Sequence, residues 1–333
     1  MTITGGAGYV GSSLVPWLLA RGWRVTVLDR MVYGNCLPVS DPGLRVITGD
    51  VRDPAAVRRA VAGQQAVIHL AFVSNDPEYR LPTAIGDAIN REAFPPLVRI
   101  CREEGVGRFL FLSSCSVYGA RAAGESEELD ETSPVQPLTA YARMKHECES
   151  FLRDASGDSL CATTLRPATL CGRSPRQRLD LTVNKMVMSA YLRGRIVLRN
   201  PDRTRPSLHL HDLLRICEKL LAAPPGRVAG QTFNAAFENC SLRDLAGMVR
   251  AVAGGQVRIA EEAGGDGRSY RVSSEKLARA IAFKPAKGVA DAARELIGAF
   301  KSGALPEAET SPRYHNLKAQ LAHDWSLHGN RPA

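Results

Sequence analysis

Two patterns in this chain are suited to chemistry, and each supplies what the other lacks. Residues 4–11 read Thr4-Gly5-Gly6-Ala7-Gly8-Tyr9-Val10-Gly11, and Tyr141 and Lys145 stand as Tyr-x-x-x-Lys. A glycine loop opening a helix brings backbone N–H groups up to a pyrophosphate with no Cβ in the way. A tyrosine and a lysine four residues apart share one face of a helix and can serve proton transfer. Together they point to hydride chemistry at a carbinol carbon beside a bound dinucleotide.

In isolation the glycine loop is a weak signal, fitting Gly6-x-Gly8-x-x-Gly11 and also Gly5-x-x-Gly8-x-x-Gly11. Its context strengthens it. Leu14, Val15, Leu18 and Leu19 recur at helical spacing directly after it. Trp23–Leu28 then reads as a buried strand ending at Asp29, 18 residues after Gly11. A carboxylate there accepts hydrogen bonds from the adenosine ribose and repels a 2′-phosphate, so NAD is favoured over NADP. Arg30 follows and would attract that phosphate, but the acidic residue holds the strand end itself. Only Met1-Thr2-Ile3 precede Thr4, which leaves room for a short first strand.

The elements that must position these groups alternate. Apolar strands read at Val25–Leu28, Leu44–Thr48, Ala66–Leu70, Phe109–Leu112 and Cys161–Leu165, with helical stretches at 12–21, 54–62, 86–104 and 139–154. This pattern predicts an α/β fold, a Rossmann-type doubly wound parallel sheet with helices on both faces. Past residue 166 prolines interrupt the pattern, which suits a smaller α/β substrate-binding domain. The expected division is 1–166 with a returning segment at about 206–236 for the NAD-binding domain, and 167–205 with 237–333 for the second. Ligands in such sheets sit beyond the carboxyl ends of the strands. Asp50, Ser74-Asn75, Ser113–Ser116 and Thr169 all follow strands.

Composition narrows the function classes. The 333 residues suffice for a sizeable core. No apolar run approaches a membrane span and no leader pattern opens the chain, so a cytoplasmic protein without membrane contact is expected. Eight scattered cysteines with no Cys-x-x-Cys argue against a zinc site or a disulfide framework, and no metal is expected. The net charge of +9 is concentrated rather than spread as for nucleic acid. Residues 173–205 hold nine basic residues against Asp180 and Asp202, a net +7. Such a stretch can grip a small polyanion such as a nucleotide diphosphate, with Arg205 the leading candidate. The bland reading is a solvated basic face.

Taken in order, these pieces resemble an extended short-chain dehydrogenase/reductase of the NAD-dependent epimerase/dehydratase family, which acts on nucleotide sugars. The matching residues are Thr4–Gly11, Asp29, Val32-Tyr33-Gly34-Asn35, Gly49-Asp50-Val51, His69-Leu70-Ala71, Leu112–Gly119, Tyr141-x-x-x-Lys145 with Glu147, Leu165-Arg166-Pro167, Arg205-x-x-x-His209-x-x-Asp212 and Phe233-Asn234. The resemblance implies that Tyr141 is the catalytic base and acid. Lys145 is then its electrostatic partner, and Ser114 binds the reacting sugar oxygen. It implies cofactor contacts from Gly5, Gly8, Tyr9, Val10, Gly11, Asp29, Arg30, Asn35, Asp50, Val51, Leu70, Ala71, Ser74, Asn90 and Pro167, with Tyr141 and Lys145. It implies substrate contacts from Ser114, Thr169, Asn184, Arg205, His209, Arg268 and Tyr270. A homodimer through the helices around 90–104 and 139–154 is implied as well, and apolar residues such as Phe94, Leu97, Ile100 and Cys101 suit it. The stretch Ser311–Asn316 resembles tails of members from surface-polysaccharide and natural-product pathways.

Departures from the pattern narrow the reaction. The family's 4,6-dehydratases carry Asp-Glu where Cys115 and Ser116 stand here, and its decarboxylases carry Glu at the second position. Thr169 replaces a sugar-contacting Asn, and the late substrate Arg is replaced near Gly264-Gly265-Asp266, with Arg268 and Tyr270 nearby. What remains is proton and hydride removal at C4. The favoured expectation is a 4-epimerase acting through a transient 4-keto sugar, because Val32–Asn35 resembles the adenosine-side wrap of UDP-sugar 4-epimerases. A 4-ketoreductase or dehydrogenase is the alternative. A noncatalytic dinucleotide sensor is disfavoured because Tyr141 and Lys145 are both present.

Overall fold

Seven runs rich in Val, Ile, Leu and Phe form one sheet in the computed structural model, which describes residues 1–74, 83–120, 127–157, 159–264 and 269–327. They are β1 (Thr2–Thr4), β2 (Val25–Asp29), β3 (Leu44–Thr48), β4 (Ala66–His69), β5 (Arg108–Leu112), β6 (Cys161–Pro167) and β7 (Thr232–Ala235). Every pairing is parallel, in the spatial order β7-β6-β5-β4-β1-β2-β3. The chain therefore winds outward in both directions from β1. Between β1 and β4 it leaves a crevice at the carboxyl ends of the strands, the usual ligand position in such sheets.

The strands read as near-continuous apolar runs because both faces are covered. Helices α1 (Gly11–Leu19) and α5 (Leu210–Ala222) pack on one face, where Leu14, Leu18, Leu213 and Ile216 meet Ile3, Val27, Ile68 and Leu110. Helices α2 (Pro54–Val61), α3 (Phe94–Glu103) and α4 (Ala140–Ala155) cover the other, where Val57, Leu97 and Leu152 meet Leu28, Val67, Phe109 and Phe111. Neighbouring strand residues such as Val27 and Leu28 thus serve opposite cores, as the strand period of two requires.

The expected continuous helix over 86–104 is broken. A π-helical turn spans Asp87–Glu92, and α3 restarts at Phe94 with prolines in its first turn. Pro95 and Pro96 lack an N–H, which costs nothing at a helix start but cannot be carried in a helix interior. The apolar residues offered for a dimer face lie inside the subunit. Phe94, Leu97, Ile100 and Cys101 are all buried, in the α3 side of the sheet core. They are spent on intramolecular packing.

Beyond Pro167 a smaller assembly forms. Thr204–His209 is the central strand between Thr169–Cys171 and Glu238–Ser241, and Arg195–Arg199 pairs in parallel with Arg258–Glu262. Helices Thr182–Arg193, Leu242–Ala253 and Val289–Lys301 enclose a separate core that includes Val187, Leu245, Val249 and Leu296. Among the described residues no helix is long and apolar enough to cross a membrane.

Candidate active site

A cleft of about 930 Å3 opens where the sheet's winding reverses and runs on toward the smaller assembly. Its floor is the glycine loop. Gly5 has φ +73°, and a Cβ there would lie 2.5 Å from the backbone nitrogen of Ala71, so glycine alone lets β1 turn beside the end of β4. At Gly8 a Cβ would meet only the Gly5 carbonyl at 3.3 Å, and the residue lines the cleft. Asp29 braces the loop from the end of β2, accepting from Ala7 N at 2.9 Å and Met31 N at 2.7 Å. Burial raises its carboxyl above the usual range, although both N–H groups and the charge of Arg176 pull the other way.

The far wall is tied to this loop by hydroxyls. Tyr9 donates to Gly172 O at 2.7 Å, Ser174 Oγ donates to Tyr9 O at 2.7 Å, and the Ser12 and Ser174 hydroxyls are 2.9 Å apart. These bonds carry Arg176 to the cleft, where its guanidinium lies 3.6 Å from the centroid of the Tyr33 ring. Arg176 is buried, yet its Nε and Nη2 donors have no partner among the described residues. Buried donors of a charged group are costly to leave unmet, so this position is built for an electron-rich ligand. The charge run 173–205 is the sequence signal for it. Of its nine basic residues, only Arg173 and Arg203 fall outside the cleft lining.

Most of the residues singled out from the sequence come together here. Gly5, Gly8, Tyr9, Val10, Gly11, Asp29, Arg30, Asp50, Val51, Leu70, Ala71, Ser74 and Pro167 line the cleft, as do Ser114, Tyr141, Lys145, Thr169, Arg205 and Tyr270. Four do not. Asn35 is exposed and its side chain accepts from Leu37 N in a local turn. Asn90 is buried behind the wall, clamping both backbone groups of Val73. Asn184 is buried beneath the Gly172 turn, accepting from Gly172 N and donating to Arg178 O. His209 caps α5 by accepting from His211 N, with its other ring nitrogen 3.4 Å from Glu295. All four shape the site from outside it. Arg268 lies outside the described residues. Arg30, read as a possible phosphate ligand, is instead paired with Asp50.

Ser113–Ser116 leaves the end of β5, and Tyr141 and Lys145 project from the first turns of α4, whose Thr139 cap accepts from Ala142 N at 3.1 Å. Burial pushes the Tyr141 phenol up to about 12, while the charge of Arg178 and a hydrogen bond with Ser114 draw it back. The expected cationic partner was Lys145. Its ammonium instead donates to Leu112 O at 2.5 Å and sits 3.5 Å over the Phe72 ring, and burial pushes it down to about 7. Arg178, held by Asp180 at 2.9 Å, adds its charge to the surroundings of the phenol, and the Lys145 ammonium lies 5.7 Å from the Tyr141 ring centroid. No motif within the sequence marks that pairing, because 37 residues separate Arg178 from Tyr141.

Beneath the site lies a buried charge network. Glu149 accepts a short hydrogen bond from Ser113 Oγ and three from Arg166, the nearest at 2.6 Å, and Arg166 donates to Tyr118 OH at 2.9 Å. Burial alone would raise the Glu149 carboxyl, but His146, Arg166 and Ser113 together hold it below the usual range. A depressed carboxyl stabilises the fold above its unfolded pKa, and that stability disappears as pH falls through the folded value. Glu149→Ala, which strands the Arg166 charge, is expected to cost about 3–5 kcal/mol in urea unfolding at pH 7. The deficit should narrow as pH falls below the ordinary glutamate range and through the lowered native value, where the native carboxyl also protonates; a pH-independent deficit would mean the charge is irrelevant.

The sequence pattern of the NAD dependent epimerase/dehydratase family matches residues 1–236. The chain belongs to this family. A dTDP-glucose 4,6-dehydratase of Streptomyces griseus is 30% identical over 314 residues, covering 87% of this chain and 90% of the relative. Among solved structures, the dTDP-glucose 4,6-dehydratase DesIV of Streptomyces venezuelae, with NAD bound, superposes with a TM-score of 0.80 at 24% identity, covering 92% of this chain and 98% of that one. A UDP-N-acetylglucosamine 4-epimerase of Methanobrevibacter ruminantium M1 gives 0.80 at 22% identity, covering 91% and 98%. These two likenesses establish the shared fold. The cofactor of this epimerase/dehydratase family member is NAD. The residues present fit it, with a Cβ-free loop at the start of α1, a carboxylate at the end of β2 and unmet guanidinium donors between them.

Proposed function

We propose that the protein is an NAD-dependent nucleotide-sugar epimerase acting at C4 through a transient 4-keto sugar. One observation carries the choice among the family's reactions. Elimination of water needs an acid and a base at neighbouring carbons. The carboxyls that line the cleft among the described residues are Asp29, Asp50, Asp180 and Glu262. Each is already engaged: Asp29 by Ala7 and Met31 N–H, Asp50 by Arg30 and Arg52, Asp180 by Arg178, and Glu262 by Arg199. At the positions beside Ser114 stand Cys115, whose buried thiol is pushed up to about 12, and Ser116, a hydroxyl. Neither supplies a carboxyl acid. Proton removal and return by Tyr141 needs none.

In this reading Tyr141 takes the proton from the sugar O4 and later gives it back, while Ser114 hydrogen-bonds that oxygen. NAD, when bound along the Gly5–Gly11 loop, supplies the hydride acceptor and donor for the adjacent carbon. Arg178 lowers the cost of the phenolate by its charge. The basic wall, with Arg205 in it, holds the diphosphate of the substrate.

The test is direct. With UDP-, dTDP-, GDP-, CDP- and ADP-sugars and catalytic NAD, one series should show inversion at C4 by NMR with no net change in NADH. Stoichiometric NADH consumption against a 4-keto sugar, with no inversion of a hydroxyl sugar, would make the protein a ketoreductase instead.

A further inference from the structure

Residues 316–326, beyond the last core residue Tyr314, stay on the molecule. The segment turns back across the cofactor end of the cleft, where Asn316, Gln320 and Trp325 become part of the lining. Hydrogen bonds along its length hold it there, among them Asn316 N to Asp180 Oδ2 at 3.2 Å and Arg30 to the His323 ring. Asn316 Nδ2 donates to Ser74 Oγ at 2.7 Å, and Gln320 Nε2 donates to Tyr33 OH at 2.7 Å. Arg30 donates to Asp324 O at 2.8 Å and Ser326 O at 3.0 Å, and Arg52 donates to Trp325 O at 2.8 Å. The same two arginines clamp Asp50. The Trp325 indole donates to Gln320 O at 2.9 Å, and the ring packs edge-on to His323 with centroids 5.0 Å apart.

Most anchors of this segment are walls of the dinucleotide site. Ser74 follows β4, Tyr33 carries Arg176 on its ring, and Arg30 and Arg52 flank the acid that follows β3. Apart from Asp180, which accepts from Asn316 N at 3.2 Å, the anchors lie on the Asp29–Asp50 side of the crevice. We propose that residues 316–326 form a strap closing the adenosine half of the NAD site, with Trp325 as its aromatic wall and Asn316 and Gln320 as its clasps. The inference rests on the NAD assignment. Its consequence concerns exchange: a cofactor covered on this side leaves only when the bonds of the strap open, so NAD stays through many turnovers. That behaviour suits a reaction that returns the hydride it takes.

The experiment measures release, not turnover. The unmodified protein is loaded with adenine-labelled NAD and chased with excess unlabelled NAD. Trp325→Ala and a chain ending at His315 are expected to release it roughly 10- to 100-fold faster, the range for losing an aromatic contact to a base. Trp325→Phe should restore slow release. ADP-ribose affinity should fall in parallel, while nicotinamide mononucleotide affinity stays level. Release within twofold of the unmodified protein, or equal loss for both half-ligands, would overturn the strap. Should the shortened chain fail to fold, as judged by circular dichroism, the Trp325→Ala and Trp325→Phe pair decides alone. Failure of the unmodified protein to bind NAD at all would instead remove the assignment beneath it.

Discussion

Tyr141→Phe should lower turnover by roughly 10²–10⁴, the span for loss of a general acid/base, while NAD and nucleotide sugar still bind. The ring stays useful without its hydroxyl, because it packs edge-on against Phe72 at 5.5 Å. What disappears is the one titratable oxygen beside Ser114. Since burial pushes that phenol up to about 12 even with the charge of Arg178 nearby, the native enzyme holds it protonated at neutral pH. Turnover is therefore expected to rise with pH across the neutral range. Arg178→Ala should move that rise to higher pH, because the phenolate loses the neighbouring charge. The measurements are single-turnover rates against pH for the native protein and both variants, with NAD affinity by titration. A Tyr141→Phe enzyme within tenfold of native would remove Tyr141 from the chemistry.

The second large effect is on cofactor binding. Gly8→Val should leave the fold intact yet weaken NAD by at least about a hundredfold, since a side chain there grows into the space of the pyrophosphate. The contrast with its neighbours is instructive. A Cβ at Gly5 or Gly11 would meet backbone atoms at 2.5 Å and 2.4 Å, so substitutions there disturb folding. At Gly8 the nearest atom is a carbonyl oxygen at 3.3 Å and the remaining direction is the cleft. The expected result is a melting temperature near native without NAD, together with loss of the NAD-induced rise. A retained rise would place the pyrophosphate elsewhere.

Local patterns in the sequence were enough for the parallel sheet, the glycine loop with Asp29, and the placing of Ser114, Tyr141 and Lys145 at one edge. Each depends on neighbours in the chain: apolar runs form strands, a short glycine motif forms a phosphate turn, and a spacing of four sets two side chains on one helix face. The sequence is silent where a residue's role depends on distant partners. Phe94, Leu97, Ile100 and Cys101 are an apolar helix face in either setting, and only packing shows that their own sheet consumes them. Asn90, Asn184 and His209 are polar residues of a suitable kind, yet they spend their hydrogen bonds on Val73, Gly172 and His211. Arg178 adds a charge near Tyr141 that no local spacing shows, beside the ammonium of Lys145. The strap is the extreme case, since Arg30 and Ser326 stand 296 positions apart. Chemistry carried by contiguous residues is written in their order and spacing. The pairing of charges and the covering of a site are set by which surfaces fold against each other, and that depends on the whole chain.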